Sequence, residues 1–271
     1  LVQEAQQKAR CNWLAHHEPE MWAKTAHYVN LSAYLTYQLT GELIDSSGHA
    51  LGYLPYDYKA QAWLKAKDLK WRLFSCRPDQ MPKIVPPGQP LGSISTKAAK
   101  ATGILAGTPM IAAASDKACE ALGSAGLAAD TACLSFGTTA TINTTSSNYV
   151  EILKHMPAYT AAAPKYYNHE YMIYRGFWMV SWFKEQFAHY EEQLAKTRGI
   201  DTEKLLDQAV KDIPAGCMGL MMQPYWSPGV RHPGLEGKGA LIGFGDVHTR
   251  AHVYRAILEG LAYELKLGFD T

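Results

Sequence analysis

The chain has 271 residues, 47% of them hydrophobic and 19% charged, with a formal net charge of +1. That length and balance fit one large or two modest globular domains with a sizeable core. They argue against binding to nucleic acid or an acidic lipid surface, and no apolar run approaches the roughly 20 residues that a helical membrane span needs.

Five cysteines, Cys11, Cys76, Cys119, Cys133 and Cys217, form no Cys-x-x-Cys pair. An odd set of this kind fits free thiols packed as small apolar residues in a reducing compartment. The start lacks the charged-then-apolar order of a signal peptide, so the expected location is cytoplasmic.

In chain order, residues 1–40 read as mainly helical. Trp22, Ala26, Val29, Ala33 and Tyr37 fall on one stripe that reads as core, and Gly41 stands where a helix C-cap would. Residues 57–75, rich in Lys and Trp, read as a second helical stretch. Met81 to Gly92 is rich in proline, with Gly88 and Gly92, and reads as an extended connector. A short helix is expected over Thr96 to Thr102, and a domain boundary near Gly107 gives domains of 1–106 and 107–271. Beyond it the pattern predicts a strand (109–115), a helix (116–125), a strand (131–136), a turn and a strand (139–146). Ala158 to Gly176 suggests a further strand pair, and Phe177 to Gln193 and Asp201 to Asp212 suggest helices. A strand at Gly219 to Pro224, a loop at Ser227 to Lys238 and a long helix from Val247 to Leu267 complete the pattern. That last helix carries Val253, Ile257, Leu261 and Leu265 on one face. Strands alternating with crossover helices give an α/β architecture.

The chemistry concentrates at Asp116 and the Gly137–Thr138–Thr139 turn. A short apolar run ends at Asp116, where a small-residue helix begins. The β-branched run from Thr131 to Thr145 is then split by Gly-Thr-Thr, as two strands around a tight turn would be. Taken alone, the Asp reads as a helix cap and the turn as a plain hairpin. Together they suit phosphoryl transfer, because a carboxylate can accept a hydroxyl proton and a glycine turn can offer backbone N–H groups to phosphate oxygens.

Ser115-Asp116-Lys117-Ala118-Cys119-Glu120-Ala121-Leu122-Gly123, followed by Ser135-Phe136-Gly137-Thr138-Thr139, resembles the actin-like domain of the FGGY family of carbohydrate kinases. Gly239-Ala-Leu-Ile-Gly243-Phe244, then seven residues, then His252-Val-Tyr-Arg-Ala256-Ile-Leu-Glu259-Gly260 resembles that family's second signature, with Phe244 in place of an aliphatic residue. Trp13-Leu-Ala-His-His17-Glu-Pro19 is similar to its first signature, with departures at Arg10 and His16. Tyr37-Gln-Leu-Thr-Gly-Glu42 followed by Asp45-Ser-Ser is similar to a further family stretch.

The resemblance implies a ribonuclease-H/actin-like α/β kinase fold, containing the end of lobe one and most of lobe two. It implies ATP-dependent phosphorylation of a sugar, ketose or polyol hydroxyl, with Mg2+ offsetting phosphate charge. Asp116 would be the catalytic base, Lys117 a substrate contact, and Gly137, Thr138 and Thr139 the ATP phosphate loop. Gly176 and Ser181 fall where relatives contact the nucleotide, although Phe177 and Trp178 stand where the family is glycine-rich. Arg231 reads as a loop anchor. The His248/His252 pair has a zinc-like i, i+4 spacing, but His252 matches a signature position that admits Asp, Glu, Asn or Gln, so a structural hydrogen bond is expected rather than a metal. A small-molecule partner is expected, with a homodimer left open. The family's opening Asp-x-Gly-Thr turn and closing glycine-rich adenosine loop have no counterpart here, so the chain reads as an internal piece, inactive alone. Two rival readings are a non-catalytic nucleotide- or partner-binding module and a sugar-independent actin-like ATPase.

Overall fold

The computed structural model describes residues 2–128, 130–153, 156–227, 229 and 232–270. The chain divides into two compact units. One holds Leu1–Thr131 and Thr144–His169, and the other holds Ala132–Asn143 and Glu170–Thr271.

The first unit opens with helices α1 (Val2–Lys8), α2 (Arg10–His17), α3 (Pro19–Ala23) and α4 (Leu31–Thr40). The expected stripe from Trp22 to Tyr37 is not continuous. The helix stops at Ala23, Asn30 is extended before α4, and Tyr37 is exposed. Gly41 does close α4, left-handed at φ 86° and donating its N–H to Tyr37 O.

Strands β1 (Ile44–Ser46), β2 (Tyr56–Asp57) and β3 (Ala62–Trp63) follow, with β2 and β3 antiparallel. The helix expected over 57–75 is absent. Its first part forms this hairpin, and only Leu69–Leu73 coils, as a 3-10 turn opened by Asp68 accepting from Lys70 N. The aromatic residues there serve long-range packing instead. Trp63 Nε1 donates to Pro82 O at 2.7 Å, and Trp71 packs into the cluster around Ala9, Cys11 and Cys76.

The proline-rich stretch contains β4 (Lys83–Val85), parallel to β1, and the start of β5 (Pro90–Ser93). Helix α5 (Thr96–Thr102) has the expected bounds, with the Ser95 side chain capping Ala98 N. Strand β6 (Pro109–Ile111) pairs antiparallel with β5, so the chain around Gly107 is tied into the first unit and the expected boundary falls inside that unit. Helix α6 (Asp116–Gly123) comes next.

A four-stranded sheet runs β7 (Ala132–Phe136), β8 (Ala140–Ser146), β10 (Tyr167–Ile173) and β9 (Tyr159–Thr160), in that spatial order. The division between the units passes through β8 and β10. The second unit continues with α7 (Trp178–Phe187), α8 (His189–Arg198), α9 (Thr202–Val210), the antiparallel pair β11 (Met221–Gln223) and β12 (Ala240–Ile242), and α10 (Arg250–Asp270). The helix expected from Phe177 to Gln193 breaks at Ala188, whose backbone leaves the helical region at φ −120°. Met179, Phe183, Leu206, Val210, Leu220, Met222, Tyr254, Ile257, Leu261 and Leu265 are buried as this unit's core. Among the described residues, no helix is long and apolar enough to cross a membrane.

Candidate active site

The two halves of the expected site lie in different units: Asp116 and Lys117 in the first, and Gly137, Thr138, Thr139, Gly176 and Ser181 in the second.

Asp116 is the first residue of α6 and is exposed. The cap is Ser115, whose hydroxyl accepts from Ala118 N at 3.3 Å, so Asp116 is released from the role that its position alone suggested. Its Oδ1 accepts from Lys117 N at 2.7 Å, and its charge sits at the favourable end of the helix dipole. The Lys117 ammonium reaches Glu120 Oε2 at 3.0 Å.

The backbone that leads to Asp116 is held by the turn after β1. Ser46 Oγ donates to Ala113 O, Ser115 N donates to Gly48 O at 3.1 Å, and Gly48 bridges Ala114. A Cβ on Gly48 would lie 2.6 Å from that of Ala114, so only glycine permits this approach. The turn itself is built on buried Asp45, which accepts from Ser32 Oγ at 2.7 Å and from Ser46 N at 2.8 Å, with His49 Nδ1 also at 2.8 Å. This is the Asp-Ser-Ser stretch noted in the sequence, and its work is to fix the strand end that carries Asp116.

In the second unit, Gly137–Thr139 is the three-residue connection between β7 and β8. Gly137 and Thr138 are exposed. The segment before α7 lies along it, with Phe177 N donating to Gly137 O at 3.0 Å and Thr139 Oγ1 donating to Tyr174 O at 3.3 Å. Gly176 is buried here because a side chain cannot fit: a Cβ would lie 2.2 Å from Ala140 N. Gly137 has no such constraint, since a Cβ there meets only Thr139 O at 3.5 Å, and what its lack of a side chain leaves is uncovered backbone. No side chain caps the start of α7, and Ser181 is exposed in its first turns. Phe177 packs edge-on against Phe136, ring centres 5.0 Å apart.

The structure therefore joins the turn with Gly176, and it adds Arg175, which the sequence reading missed. Arg175 lies on the segment along the turn, its guanidinium 4.5 Å over the Trp178 ring. The only sequence signal was a cation directly before a glycine already singled out.

The histidine pair serves the start of α10. His248 Nδ1 accepts from Gly245 N at 2.7 Å and His252 Nδ1 from Thr249 N at 3.2 Å, with the rings edge-to-face. Among the described residues no group of three His, Cys, Asp or Glu side chains could hold a metal. Glu259 of the second signature accepts from Gly216 N and Arg255 Nε, fixing α10 beneath the turn before β11. Arg231 lies outside the described residues.

Comparison with known proteins identifies the family and the fold. The model for the FGGY family of carbohydrate kinases, N-terminal domain, matches residues 3–123, and that for the C-terminal domain matches 132–271. The chain is 33% identical over 250 residues to the uncharacterized sugar kinase YgcE of Escherichia coli (strain K12), covering 91% of this chain and 50% of that protein. It is 29% identical over 257 residues to a xylulose kinase of Bacillus subtilis (strain 168), covering 93% and 48%. The chain thus spans about half the length of the curated relatives it matches. Among solved structures, a xylulose kinase from Rhodospirillum rubrum superimposes with a TM-score of 0.83 at 24% identity, covering 97% of this chain and 51% of that one. A Plasmodium falciparum glycerol kinase with ADP gives 0.75 at 17% identity, covering 100% and 55%. These likenesses identify the fold as the expected ribonuclease-H/actin-like one.

Proposed function

The chain belongs to the FGGY family of carbohydrate kinases, and from that premise we propose that a protein carrying it transfers the γ-phosphoryl group of ATP to a hydroxyl of a sugar, ketose or polyol. The observation that carries this reading is the open Gly137–Thr139 turn seated on the uncapped start of α7. The exposed backbone of Gly137 and Thr138, the Thr138 hydroxyl and the adjacent exposed Arg175 are donors of the kind that phosphate oxygens require.

In this reading Asp116 orients the acceptor hydroxyl and takes its proton as the new O–P bond forms, while ADP leaves with the β-phosphate. The rigid turn at Asp45–Gly48 keeps that carboxylate in place during the transfer. Lys117 contacts the substrate or the transferring phosphate. Gly137, Thr138 and Thr139 hold the phosphates, and Gly176 and Ser181 border the nucleotide. Mg2+, held on the phosphates of ATP rather than by a protein cage, would neutralise their charge. The names of the relatives support a sugar as substrate, and the mechanism asks only for a hydroxyl within reach of Asp116.

The test is ADP release with ATP and magnesium, with and without a panel of sugars, in a protein carrying this chain. Sugar-dependent release that Asp116→Asn removes supports the kinase. Sugar-independent turnover would favour an actin-like ATPase, and nucleotide binding without turnover a binding module.

A further inference from the structure

Cys11 and Cys76 are 0% and 3% exposed and share one small core cluster with Ala9 in the first unit. One stands on α2, and the other follows the 3-10 turn at Leu69–Leu73. Both side chains lie inside that cluster, and the Cys11 thiol donates to Asn12 Oδ1 at 3.6 Å. The backbone on both sides is fixed beside them. The Asn12 side chain donates to Leu73 O at 2.8 Å and accepts from Ser75 N at 2.6 Å, so the two segments are in register before any bond forms. Burial of small apolar residues explains why each cysteine is inside. It does not call for two thiols from separate segments to share one three-residue cluster. With the segments held, side-chain rotation can bring two sulfurs of one cluster to bonding distance.

We propose that Cys11 and Cys76 form an oxidation site at which peroxide produces a reversible disulfide, tying α2 to the segment after the Leu69–Leu73 turn. The Cys11 thiolate attacks one oxygen of hydrogen peroxide, the O–O bond breaks, the departing hydroxide takes up the proton given up by the Cys11 thiol, and a sulfenic acid and one water result. The Cys76 sulfur then attacks the Cys11 sulfur, the S–S bond forms, the S–O bond breaks, and a second water leaves with the Cys76 proton. The two sulfurs together give up two electrons to the peroxide, and an added dithiol returns both thiols. Cys11 is the attacking sulfur because the hydrogen bond from Cys76 holds its thiol below the usual range against the opposing effect of burial. The Cys76 thiol is pushed up by the same hydrogen bond and by burial, as suits the resolving partner. Partly buried aromatic residues, among them Trp22, Tyr28, Trp71 and Phe74, cover the pair, so an oxidant reaches it through local opening. Helix α2 has eight residues, and exposed Arg10 and Trp13 flank Cys11, which makes this end of the cluster the shorter path for that opening.

The test treats the folded chain with hydrogen peroxide, blocks remaining thiols and maps peptides by mass spectrometry. Exposed Cys119 and half-buried Cys133 are replaced by serine in parallel, to remove intermolecular products. We expect a 2 Da loss, carried mainly by a cross-linked peptide pair containing Cys11 and Cys76 and reversed by dithiothreitol. In Cys76→Ser the reaction should stop at a dimedone-trapped sulfenic acid on Cys11, and in Cys11→Ala dimedone capture at Cys76 should be at least tenfold below that capture at Cys11. Recovery of both residues as free thiols while other cysteines oxidise would overturn the site. That result can be read in the unsubstituted chain, whatever the variants do to folding.

Discussion

Replacing Gly176 by alanine tests how the phosphate-loop region is built. The added Cβ would lie 2.2 Å from Ala140 N, 2.5 Å from its Cβ and 2.8 Å from its Cα. Carbon contacts settle near 3.5–4 Å, so the segment before α7 must move away from β8 by about 1 Å. Overpacking of this kind costs about 1–3 kcal/mol, and stretching the Phe177 N to Gly137 O hydrogen bond beyond reach costs about 1 kcal/mol more. The lower chain entropy of unfolded alanine offsets up to about 1 kcal/mol, leaving a net loss near 2 kcal/mol. That corresponds to roughly 30-fold faster amide exchange by the opening of this region. The assay is hydrogen exchange over residues 140–143 and 177–180, with urea unfolding followed by tryptophan fluorescence as a second measure. The matched control is Gly137→Ala, whose Cβ meets only Thr139 O at 3.5 Å and should change exchange by no more than about threefold. Equal, small effects at both positions would refute the claim that Gly176, and not Gly137, is sterically required.

Asp116→Asn should lower turnover by about 10²- to 10⁴-fold while nucleotide affinity stays within twofold, because only the proton acceptor is lost; near-normal rates would remove Asp116 from the mechanism. Thr138→Val should weaken ADP binding by about fivefold to tenfold, as loss of one phosphate donor does, with calorimetry as the check and unchanged affinity as the contrary result. His169 is buried, which lowers its pKa below the ordinary 6.5. The unfolded chain therefore binds the proton first, and stability present above about pH 6.5 is lost as the pH falls towards the folded value. His169→Gln should flatten that slope in urea titrations between pH 7 and pH 5, and an unchanged slope would assign it to other groups.

What the sequence made legible were features with local causes. Asp116 opens a helix because Ser115 caps it, and Gly41 ends one by adopting a left-handed conformation. The paired strands around Gly137–Thr139 follow from β-branched runs broken by a turn. What it hid depends on distant partners. Residues 57–75 carry helix-favouring lysines, yet Trp63 is drawn towards Pro82 and Trp71 into the core of α2, which tertiary packing alone decides. Likewise, nothing local to Gly107 shows that β6 pairs back onto β5. Gly176 was singled out for a nucleotide contact, and its steric necessity against Ala140 became visible only when the two segments met. Arg175 went unnoticed because its value lies in the turn beside it rather than in its own neighbours in sequence.

The most direct test of the kinase reading is coupled ADP release by a protein carrying this chain, with ATP and magnesium, across pentuloses, hexuloses, alditols and glycerol. The account predicts that one chemical class raises turnover well above the sugar-free rate, and that Asp116→Asn abolishes the rise without loss of ADP binding. A flat response across the panel, with tight nucleotide binding intact, would contradict it and leave Asp116 as the exposed first residue of a helix.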